Sequence, residues 1–588
     1  MQNENKSGQS HGKVIWDIIL SNYPGAVLYG LLFNISLMID SIIAGQSLGA
    51  NGIAAVALGV PGYGILAAIV YSLIHGSGLR MIWAKGRADE KEFRRALNGG
   101  TTLVGFVGFI FAVIIFIFAD TIVILCGGDM VEDFTRNNAV NYLCFCAPIV
   151  FLTALGMILQ ELMNVLGLQT YRAALGAVNI AVNLIVSITC VIFLPVNMKL
   201  AGLGIGTSVG GLVEFIVGII ILRVLNVRLN YRPVLLRPRE IAETIRCGFP
   251  AAADYFAENV VMGIQNNLIL SAFSGESLML ATSEIVCNIS YFASGSIKGA
   301  AIATEPMFGV FYEERDVNSI KKVWKKGWML GMLMSVVWGI FFYLSVPVIS
   351  NLFGMEVNAD IYRGMLFSIV FYPFMHTVYM FTLYYEATKR FSVSMAFAIV
   401  PDSILYIIMM AILIPILGKD GIWLSITGNQ LLGLILLIPL VLLIASWHGI
   451  EKDRLLLLPE EFYSGKVLME TEVSADGRDE EAKRENFKDK MQELLTDQTE
   501  IDNVMFFMEE IMSVVRQNSN KIHISLKDNN QNIVVYIRNS GKQYDPLSSI
   551  SEEIKSAADE GAISYSYVYK MNILTINLRE IKNIVPEA

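Results

Sequence analysis

The 588-residue chain is poor in charged residues, in cysteine and in histidine. Only 16% of its residues are Asp, Glu, Lys or Arg, whereas 54% are hydrophobic, and this balance excludes an ordinary soluble globular protein. The six cysteines lie in apolar stretches without metal-ligand spacing, which favours small core side chains over a metal centre. No Walker motif and no nucleophile–base pattern occurs, so neither an ATP-driven pump nor a hydrolytic or redox enzyme is indicated.

The charge of the chain is concentrated at its C-terminal end. Residues 451–588 hold 17 of the 44 Lys and Arg and 26 of the 53 Asp and Glu, so the whole net charge of -9 lies there. A neutral apolar body with an acidic tail predicts a membrane domain followed by a soluble one, and the acidity argues against nucleic-acid binding. The polar N-terminal tail, residues 1–17, does not resemble a cleaved signal peptide.

Runs of about 20 apolar residues, the length of a membrane-spanning helix, recur along residues 18–450. We therefore predict an all-α polytopic membrane protein with twelve transmembrane helices in the cell membrane. The predicted spans are 24–47, 52–78, 99–126, 138–164, 172–195, 202–226, 247–273, 279–310, 326–353, 361–387, 392–417 and 421–446.

Lysine and arginine are unevenly divided between alternate loops. About twenty lie in the loops after even-numbered spans, against four in the opposite loops, Arg136, Lys199, Arg363 and Lys419. Because basic residues stay on the cytoplasmic side, both termini are predicted to be cytoplasmic.

The two halves of the apolar body resemble each other. PGAVLYGLLFNISLMID from Pro24 aligns with PAAADYFAENVVMGIQN from Pro250, and later matches keep nearly the same offset. Such duplication is typical of transporters. It divides the body into an N-lobe at 18–227 and a C-lobe at 247–450, each of six helices, joined by a basic linker at 228–246.

Several ionisable or amide side chains lie inside the predicted spans, where they are costly and usually functional. Asp40 with Asn179 and Asn183 is the first candidate ion or substrate site, and Asp254 with Glu258 is the second. A buried carboxylate can hold a proton, or bind a hard cation together with amide oxygens. The alternative is that these groups only join helices by hydrogen bonds. Further cavity candidates are Glu284, Asp402 and His376, whereas Glu161, Glu214 and Glu386 lie near enough to span ends to reach water.

Several stretches of the apolar body resemble sequences of the multidrug and toxic compound extrusion (MATE) family of cation-coupled antiporters. The resemblance covers about residues 15–447 and rests on SLMIDSIIAGQSLGANGIAAVALGVP, GSGLRMIWAKGRADEKEFRRALNGG, NVLGLQTYRAAL, AVNIAVNLI and AGLGIGTSVGG. It implies two six-helix lobes that form a V and alternate between inward and outward openings, driven by H+ or Na+ without any other cofactor.

The resemblance also assigns individual residues. Asp40 matches the family's aspartate in span 1, Asn179 matches an asparagine of the DinF-like branch, and Glu258 matches a glutamate of the NorM-like branch. Asn183 stands where the DinF-like branch has an aspartate. The NorM-like aspartate of span 10 has no counterpart, since FYPFMHTVYMF offers His376 instead. The coupling ion therefore stays open between H+ and Na+.

The C-terminal region is predicted to comprise a charged linker at 451–498, in which SADGRDEEAKRENFKDK indicates the start of a helix, and a small α/β sandwich at 499–588. An amphipathic helix near 500–517 precedes the alternating stretches KIHISLK, NIVVYIRNS and ILTINLRE. Their order resembles the ATP-binding domain of anti-sigma-factor kinases, within the histidine-kinase-like ATPases. Glu509 and Ser513 correspond to its N-box, and Asn539 and Gly541 to its adenine-reading box. Since Ser513 replaces a magnesium-binding asparagine and Asn539 an aspartate, the fold is expected without kinase activity.

The predicted function is secondary antiport of an amphipathic organic solute against H+ or Na+, with a cytosolic domain that regulates transport or binds a protein partner. One alternative is a flippase for lipid-linked precursors in the same superfamily, which would favour a basic cavity. The other is a membrane receptor that signals through its C-terminal domain.

Overall fold

The computed structural model describes residues 12–578 in most of their length. The stretches left out within this range are 87–89, 166–168, 226, 228–230, 357, 464–465, 475–479, 496–497, 519–520, 529–532, 542–543, 545, 552–553, 557–561 and 569–570. Side chains at some further helical positions are likewise outside the described set.

Long helices make up the apolar body, as expected where a backbone in lipid must satisfy its own hydrogen bonds. The N-lobe comprises α1 Gly12–Leu48, α2 Ala50–Gly86, α3 Glu90–Val123, α4 Asp133–Cys146, α5 Ile149–Val165, α6 Gln169–Phe193 and α7 Lys199–Val224. A π-helical turn, Ile124–Gly128, follows α3, and a 3-10 turn, Val196–Met198, precedes α7.

The C-lobe repeats this arrangement. It comprises α8 Pro238–Ala272, α9 Ser277–Glu313, α10 Val317–Leu352, α11 Ala359–Ala387, α12 Phe391–Ile399, α13 Tyr406–Leu417 and α14 Lys419–Trp447. A π-helical turn, Val400–Leu405, joins α12 to α13 at Pro401. Proline lacks the amide proton that an α-helix needs at this point, so the helical path changes there.

Nine helical stretches within the described ranges are long and apolar enough to span a membrane. The other three predicted spans lie in α1, α8 and α9, helices of 37, 35 and 37 residues. Polar residues such as Glu258 and Glu284 lower the mean hydropathy of α8 and α9, and several positions of α1 lie outside the described residues. A total of twelve spans remains a prediction.

The outer surface of α3 is strongly apolar. Phe106, Phe116 and Ile117 are 65%, 60% and 66% exposed. Side chains of this kind face lipid when a helix lies at the edge of a membrane bundle.

The first helix, α1, contributes to the cores of both lobes. Near its C-terminal end, Ile39 and Ala44 pack in the N-lobe core with Tyr142. Near its N-terminal end, Ile15 and Ile18 pack in a C-lobe cluster that contains Phe308 and Tyr384 of the second half of the chain. The helix therefore bridges the two lobes.

The C-terminal region contains a five-stranded antiparallel sheet in the order β1-β2-β3-β5-β4. Its strands are β1 Lys466–Ser474, β2 Lys521–Asp528, β3 Ile533–Ser540, β4 Ile563–Val568 and β5 Met571–Asn577. Two helices, α15 Glu480–Leu494 and α16 Gln498–Asn518, share a hydrophobic core with the sheet. Short 3-10 turns occupy Arg454–Leu456, Glu460–Tyr463 and Pro546–Ser549.

The segment predicted as a charged linker at 451–498 contains the helix α15, whose start the sequence indicated, and the strand β1, which was not predicted. Strand β1 pairs with β2 along its length. The glutamates of β1 made the segment look like a charged linker in the sequence. In the structure, Glu470 lies 3.3 Å from Lys322, and Glu472 accepts a hydrogen bond from the Val14 amide at 2.8 Å. These carboxylates face the helical body, so the strand is charged on a surface that is covered.

Candidate functional site

Asp40 lies in a polar cluster inside the N-lobe. It is carried by α1 and is 7% exposed. The Tyr142 hydroxyl donates to Oδ2 at 2.7 Å, and Thr207 Oγ1 lies 3.4 Å from the same oxygen. The other oxygen, Oδ1, is buried and has no hydrogen-bond partner among the described residues. This carboxylate therefore has an oxygen available to a proton or a small cation.

Asn183 approaches Asp40 through Thr207. The Thr207 hydroxyl lies 3.5 Å from Asn183 Oδ1, and the Ser187 hydroxyl donates to the same oxygen at 2.9 Å. Thr207 was absent from the residues predicted from sequence, although it lies in the AGLGIGTSVGG stretch used for the family resemblance. Asp40, Asn183 and Thr207 thus bring a carboxylate, an amide and a hydroxyl together from α1, α6 and α7.

Asn179, one helical turn from Asn183, contacts a different carboxylate. Its Nδ2 donates to Glu214 Oε2 at 2.5 Å, and Gln160 Nε2 donates to Glu214 Oε1 at 2.6 Å. Glu214 is only 1% exposed, so the expectation that it reaches water from a span end is wrong. Gly156 of α5 makes room for it, since a Cβ there would lie 2.8 Å from the carboxylate.

A separate cavity of about 580 Å³ lies between the lobes. Its lining comes from α2 and α5 of the N-lobe and from α8, α9, α11, α13, α14 and the π-helical turn of the C-lobe. Its described lining includes six tyrosines: Tyr63, Tyr71, Tyr255, Tyr291, Tyr379 and Tyr406. A cavity of this size and aromatic content suits the apolar body of a drug-sized molecule.

Among the described residues, three charged side chains line the cavity, Glu258, Lys298 and Asp402. Lys298 Nζ lies 3.7 Å from the centroid of the Tyr379 ring, in cation–π geometry. Asp402 accepts a hydrogen bond from Gln430. The two carboxylates outnumber the single amine, so the described lining favours a ligand that carries positive charge.

Other predicted site residues lie away from this cavity or outside the described set. Glu284 accepts from Asn288 Nδ2 at 3.0 Å on its own helix. His376 is fully buried, and a Cβ on Gly331 would lie 1.9 Å from its ring. Neither belongs to the described lining. The side chain of Asp254 lies outside the described residues.

An ionic contact joins the lobes at the ends of α2, α3 and α8. Arg95 of α3 donates to both carboxylate oxygens of Glu240 on α8, at 2.6 and 2.9 Å. Arg80 of α2 donates to Thr244 Oγ1 at 3.2 Å. The hydrogen bond from Arg95 lowers the pKa of Glu240 to about 2.

The predicted nucleotide-binding residues have partners within the chain. Glu509 pairs with Arg484, and the Ser513 hydroxyl donates to the Glu510 carbonyl at 2.7 Å. Asn539 is 1% exposed and donates to the Tyr544 hydroxyl at 3.0 Å. Gly541 has a φ of 149°. No group of three or more His, Cys, Asp or Glu able to hold a metal ion occurs among the described residues.

The open face of the C-terminal sheet lies against the helical body. Met571 and Ile573 of β5 pack in the same cluster as Ile18 and Phe311. At the start of α1, the Asp17 carboxylate lies 2.5 Å from Lys521 Nζ.

Buried charges lie at the centre of this contact. Lys527 Nζ of β2 lies 2.8 Å from the Asp316 carboxylate, which precedes α10. Arg538 of β3 pairs with Glu314 and lies 3.4 Å from Asp316. Burial alone would raise the pKa of Asp316, but Lys527 and Arg538 outweigh it and hold this pKa below its usual range. Burial raises the pKa of Glu314 despite the same two cations.

The helical body was compared with known protein families and solved structures. The MatE family model matches residues 26–192, which cover most of the N-lobe. No curated protein matches the chain.

Solved structures extend the likeness to both lobes. An inward-facing multidrug resistance MATE transporter of the MOP superfamily is 16% identical over 74% of this chain and 99% of its own, with a TM-score of 0.64. An outward-facing one is 15% identical over 75% and 99%, with a TM-score of 0.54.

A MOP superfamily transporter from Pyrococcus furiosus, described as having a binding pocket of reverse polarity, is 15% identical over 74% and 98%, with a TM-score of 0.55. At these identities the likeness shows the fold: the helical body has the fold of the MATE transporters.

Proposed function

We propose that this protein is a secondary antiporter that exports amphipathic organic solutes in exchange for H+ or Na+. The observation that carries the proposal is the separation of two sites in a MATE-type fold. An aromatic cavity with Glu258 lies between the lobes, and Asp40 lies in its own polar cluster within the N-lobe.

The chemistry of the two sites suits their proposed roles. The tyrosines and Met157 of the cavity offer an apolar surface, and Glu258 offers a negative charge to a cationic solute. Asp40 has only neutral hydrogen-bond partners among the described residues, so a bound proton or Na+ would supply the missing positive charge. Antiport requires that each ligand favour a different arrangement of the lobes.

The second candidate function is export of a lipid-linked precursor. Such molecules carry phosphate groups, so their binding site would favour basic side chains. The described cavity lining contains one basic side chain, Lys298, and two acidic ones, Glu258 and Asp402. The balance of charges therefore favours a cationic or neutral solute over an anionic one.

We assign a regulatory role to the C-terminal region. Support comes from its contacts with α1, which carries Asp40 at its other end. A change in the position of the sheet would act on a helix that belongs to the cores of both lobes. This arrangement favours regulation over an independent receptor function, and both termini would then lie in the cytoplasm, where basic loops also belong.

Reconstitution in liposomes tests the proposal. An imposed proton or sodium gradient should drive uptake of a fluorescent organic cation by the wild type. Asp40→Asn should abolish gradient-driven uptake, and Glu258→Gln should weaken uptake of cations more than that of neutral solutes. Glu493→Gln, an exposed substitution in α15, provides the control. Uptake of lipid-linked anions with no response to organic cations would support the flippase instead.

A further inference from the structure

Glu214 forms a second polar level in the N-lobe, apart from the Asp40 cluster and from the lining of the cavity. On α7, Glu214 lies seven residues after Thr207, which is two helical turns on the same face and roughly 10 Å along the axis. On α6, Asn179 and Asn183 lie one turn apart, and each contacts a different level. The helix pair α6–α7 thus carries two carboxylate–amide sites in series.

The partners of Glu214 are neutral. Both of its carboxylate oxygens accept hydrogen bonds from amide groups, those of Gln160 and Asn179. The neighbouring carboxylate Glu161 takes the local cations instead, with Arg172 at 3.3 Å and His75 at 3.8 Å. An ionised Glu214 would therefore be a nearly fully buried negative charge that no cationic side chain among its described contacts compensates. A bound cation removes this cost.

Amide partners can serve both states of such a carboxylate. An amide presents two N–H donors on one side and a carbonyl acceptor on the other, so rotation about its last bond exchanges donor for acceptor. When Glu214 is protonated, its O–H can donate to an amide oxygen. When Na+ is bound, a carboxylate oxygen and amide oxygens are ligands of the kind that hard cations take.

Glycine allows α6 to approach α7 closely beside this level. A Cβ on Gly210 would lie 2.8 Å from Asn179 Oδ1 and 3.3 Å from Asn183 Cβ. Gly210 lies between Thr207 and Glu214 on α7, so the two levels share one close contact between the helices. An alanine at this position would crowd the Asn179 side chain and its backbone oxygen, which would lie 3.1 Å from the added Cβ, and would retain the Glu214 carboxyl group.

We propose that Glu214 binds a small monovalent cation, H+ or Na+, as a second coupling-ion site in series with Asp40. The inference rests on the proposed ion-coupled antiport and adds a site and a stoichiometry to it. Two ions per cycle would bind in the N-lobe, outside the described lining of the solute cavity. Helix α5 contributes to both regions through adjoining faces: Thr153 and Met157 line the cavity, whereas Gly156 and Gln160 contact Glu214.

Infrared difference spectroscopy of the full chain in lipid nanodiscs tests ion binding without any transport. Acidification in sodium-free buffer should produce a carbonyl band of a protonated buried carboxyl that is lost in Glu214→Gln and a separate one that is lost in Asp40→Asn. If Na+ is the ion, its addition at constant pH should change the carboxylate bands of the same two residues. Glu161→Gln, whose native carboxylate is paired with Arg172, should leave both Asp40 and Glu214 signals unchanged.

A spectrum of Glu214→Gln that superimposes on the wild type at every pH and Na+ concentration would overturn the proposal. Loss of the band in Glu214→Gln could also come from unfolding, so a second variant, Gly210→Ala, is needed that retains the Glu214 carboxyl group. It should shift the Glu214 band without removing it, and an unchanged band would count against the Asn179–Glu214 coupling.

Reversal potentials in liposomes give the transport side of the test. Glu214→Gln should lower the number of cations exchanged per solute by one, whereas Glu161→Gln should keep the wild-type number. Wild-type protein that shows both infrared signals but no solute flux would refute the proposed antiport and leave the second ion site intact. Flux with the wild-type stoichiometry in Glu214→Gln would refute the second coupling site and leave antiport intact.

Discussion

Lys527 Nζ lies 2.8 Å from the Asp316 carboxylate, although Lys527 belongs to the C-terminal sheet and Asp316 precedes helix α10 of the C-lobe. Their side chains are 4% and 2% exposed. A buried ion pair contributes little when compared with apolar side chains of the same size, but it becomes costly when one partner is removed. The pair therefore makes docking of the sheet sensitive to a single substitution.

Asp316→Asn should weaken this docking by about 3–5 kcal/mol, because it leaves Lys527 buried beside a neutral group. Asparagine keeps the N-cap of α10, where the Asp316 side chain accepts from the Ser319 amide at 3.1 Å. Hydrogen exchange should become faster in β2 and at the start of α10 but not within α3. Glu493→Gln, which removes an exposed ion pair, is the control and should change exchange by less than about 1 kcal/mol. Identical exchange in Asp316→Asn and the wild type would contradict a docked sheet.

The C-terminal region is expected not to bind ATP. Asn539 is buried and hydrogen-bonded to Tyr544, and Ser513 donates to its own helix, so the residues that match a nucleotide site are engaged within the chain. Addition of Mg-ATP should leave the unfolding temperature of the full chain unchanged, and titration calorimetry should give no heat of binding. A stabilisation that grows with ATP concentration, and that Asn539→Ala removes, would contradict this expectation.

The sequence predicted the helical body because lipid imposes one rule, that apolar runs of about 20 residues form helices. It also grouped Asp40 with both Asn179 and Asn183, of which only Asn183 approaches Asp40, through Thr207. It could not predict that Asn179, on the same face as Asn183, contacts Glu214, because the partner of a helix face depends on how helices pack. Strand β1 was missed for a related reason: Glu470 and Glu472 make it appear exposed, whereas their partners lie in the helical body.

The contact between Arg95 and Glu240 should be insensitive to pH in the physiological range. Since the pKa of Glu240 is lowered to about 2, the contact is present above the ordinary glutamate value and is lost as the pH falls from about 4.5 through 2. Any pH dependence of transport between about pH 5.5 and 8 must then come from other groups.

Glu240→Gln tests this directly. It should raise the accessibility of a cysteine introduced at Thr244 by weakening the contact between the lobes, and leave the shape of the pH profile of transport unchanged. A cysteine at Thr135, remote in the chain and fully buried in α4, provides the control for general loosening. A profile whose midpoint moves in Glu240→Gln would show that this residue titrates during transport.

Glu258→Gln should weaken binding of organic cations and spare neutral analogues of the same shape. Removing a charge that pairs with the ligand costs about 1.5–3 kcal/mol, which corresponds to roughly 10- to 100-fold in Kd. Fluorescence or calorimetric titration of the purified protein measures this without any gradient. Glu284→Gln is the matched control, because Glu284 is a glutamate in the adjacent helix that bonds to Asn288 and is absent from the described cavity lining. Equal losses for cationic and neutral analogues in Glu258→Gln would indicate a change of cavity shape, and equal losses in both variants would argue that Glu258 does not contact the solute.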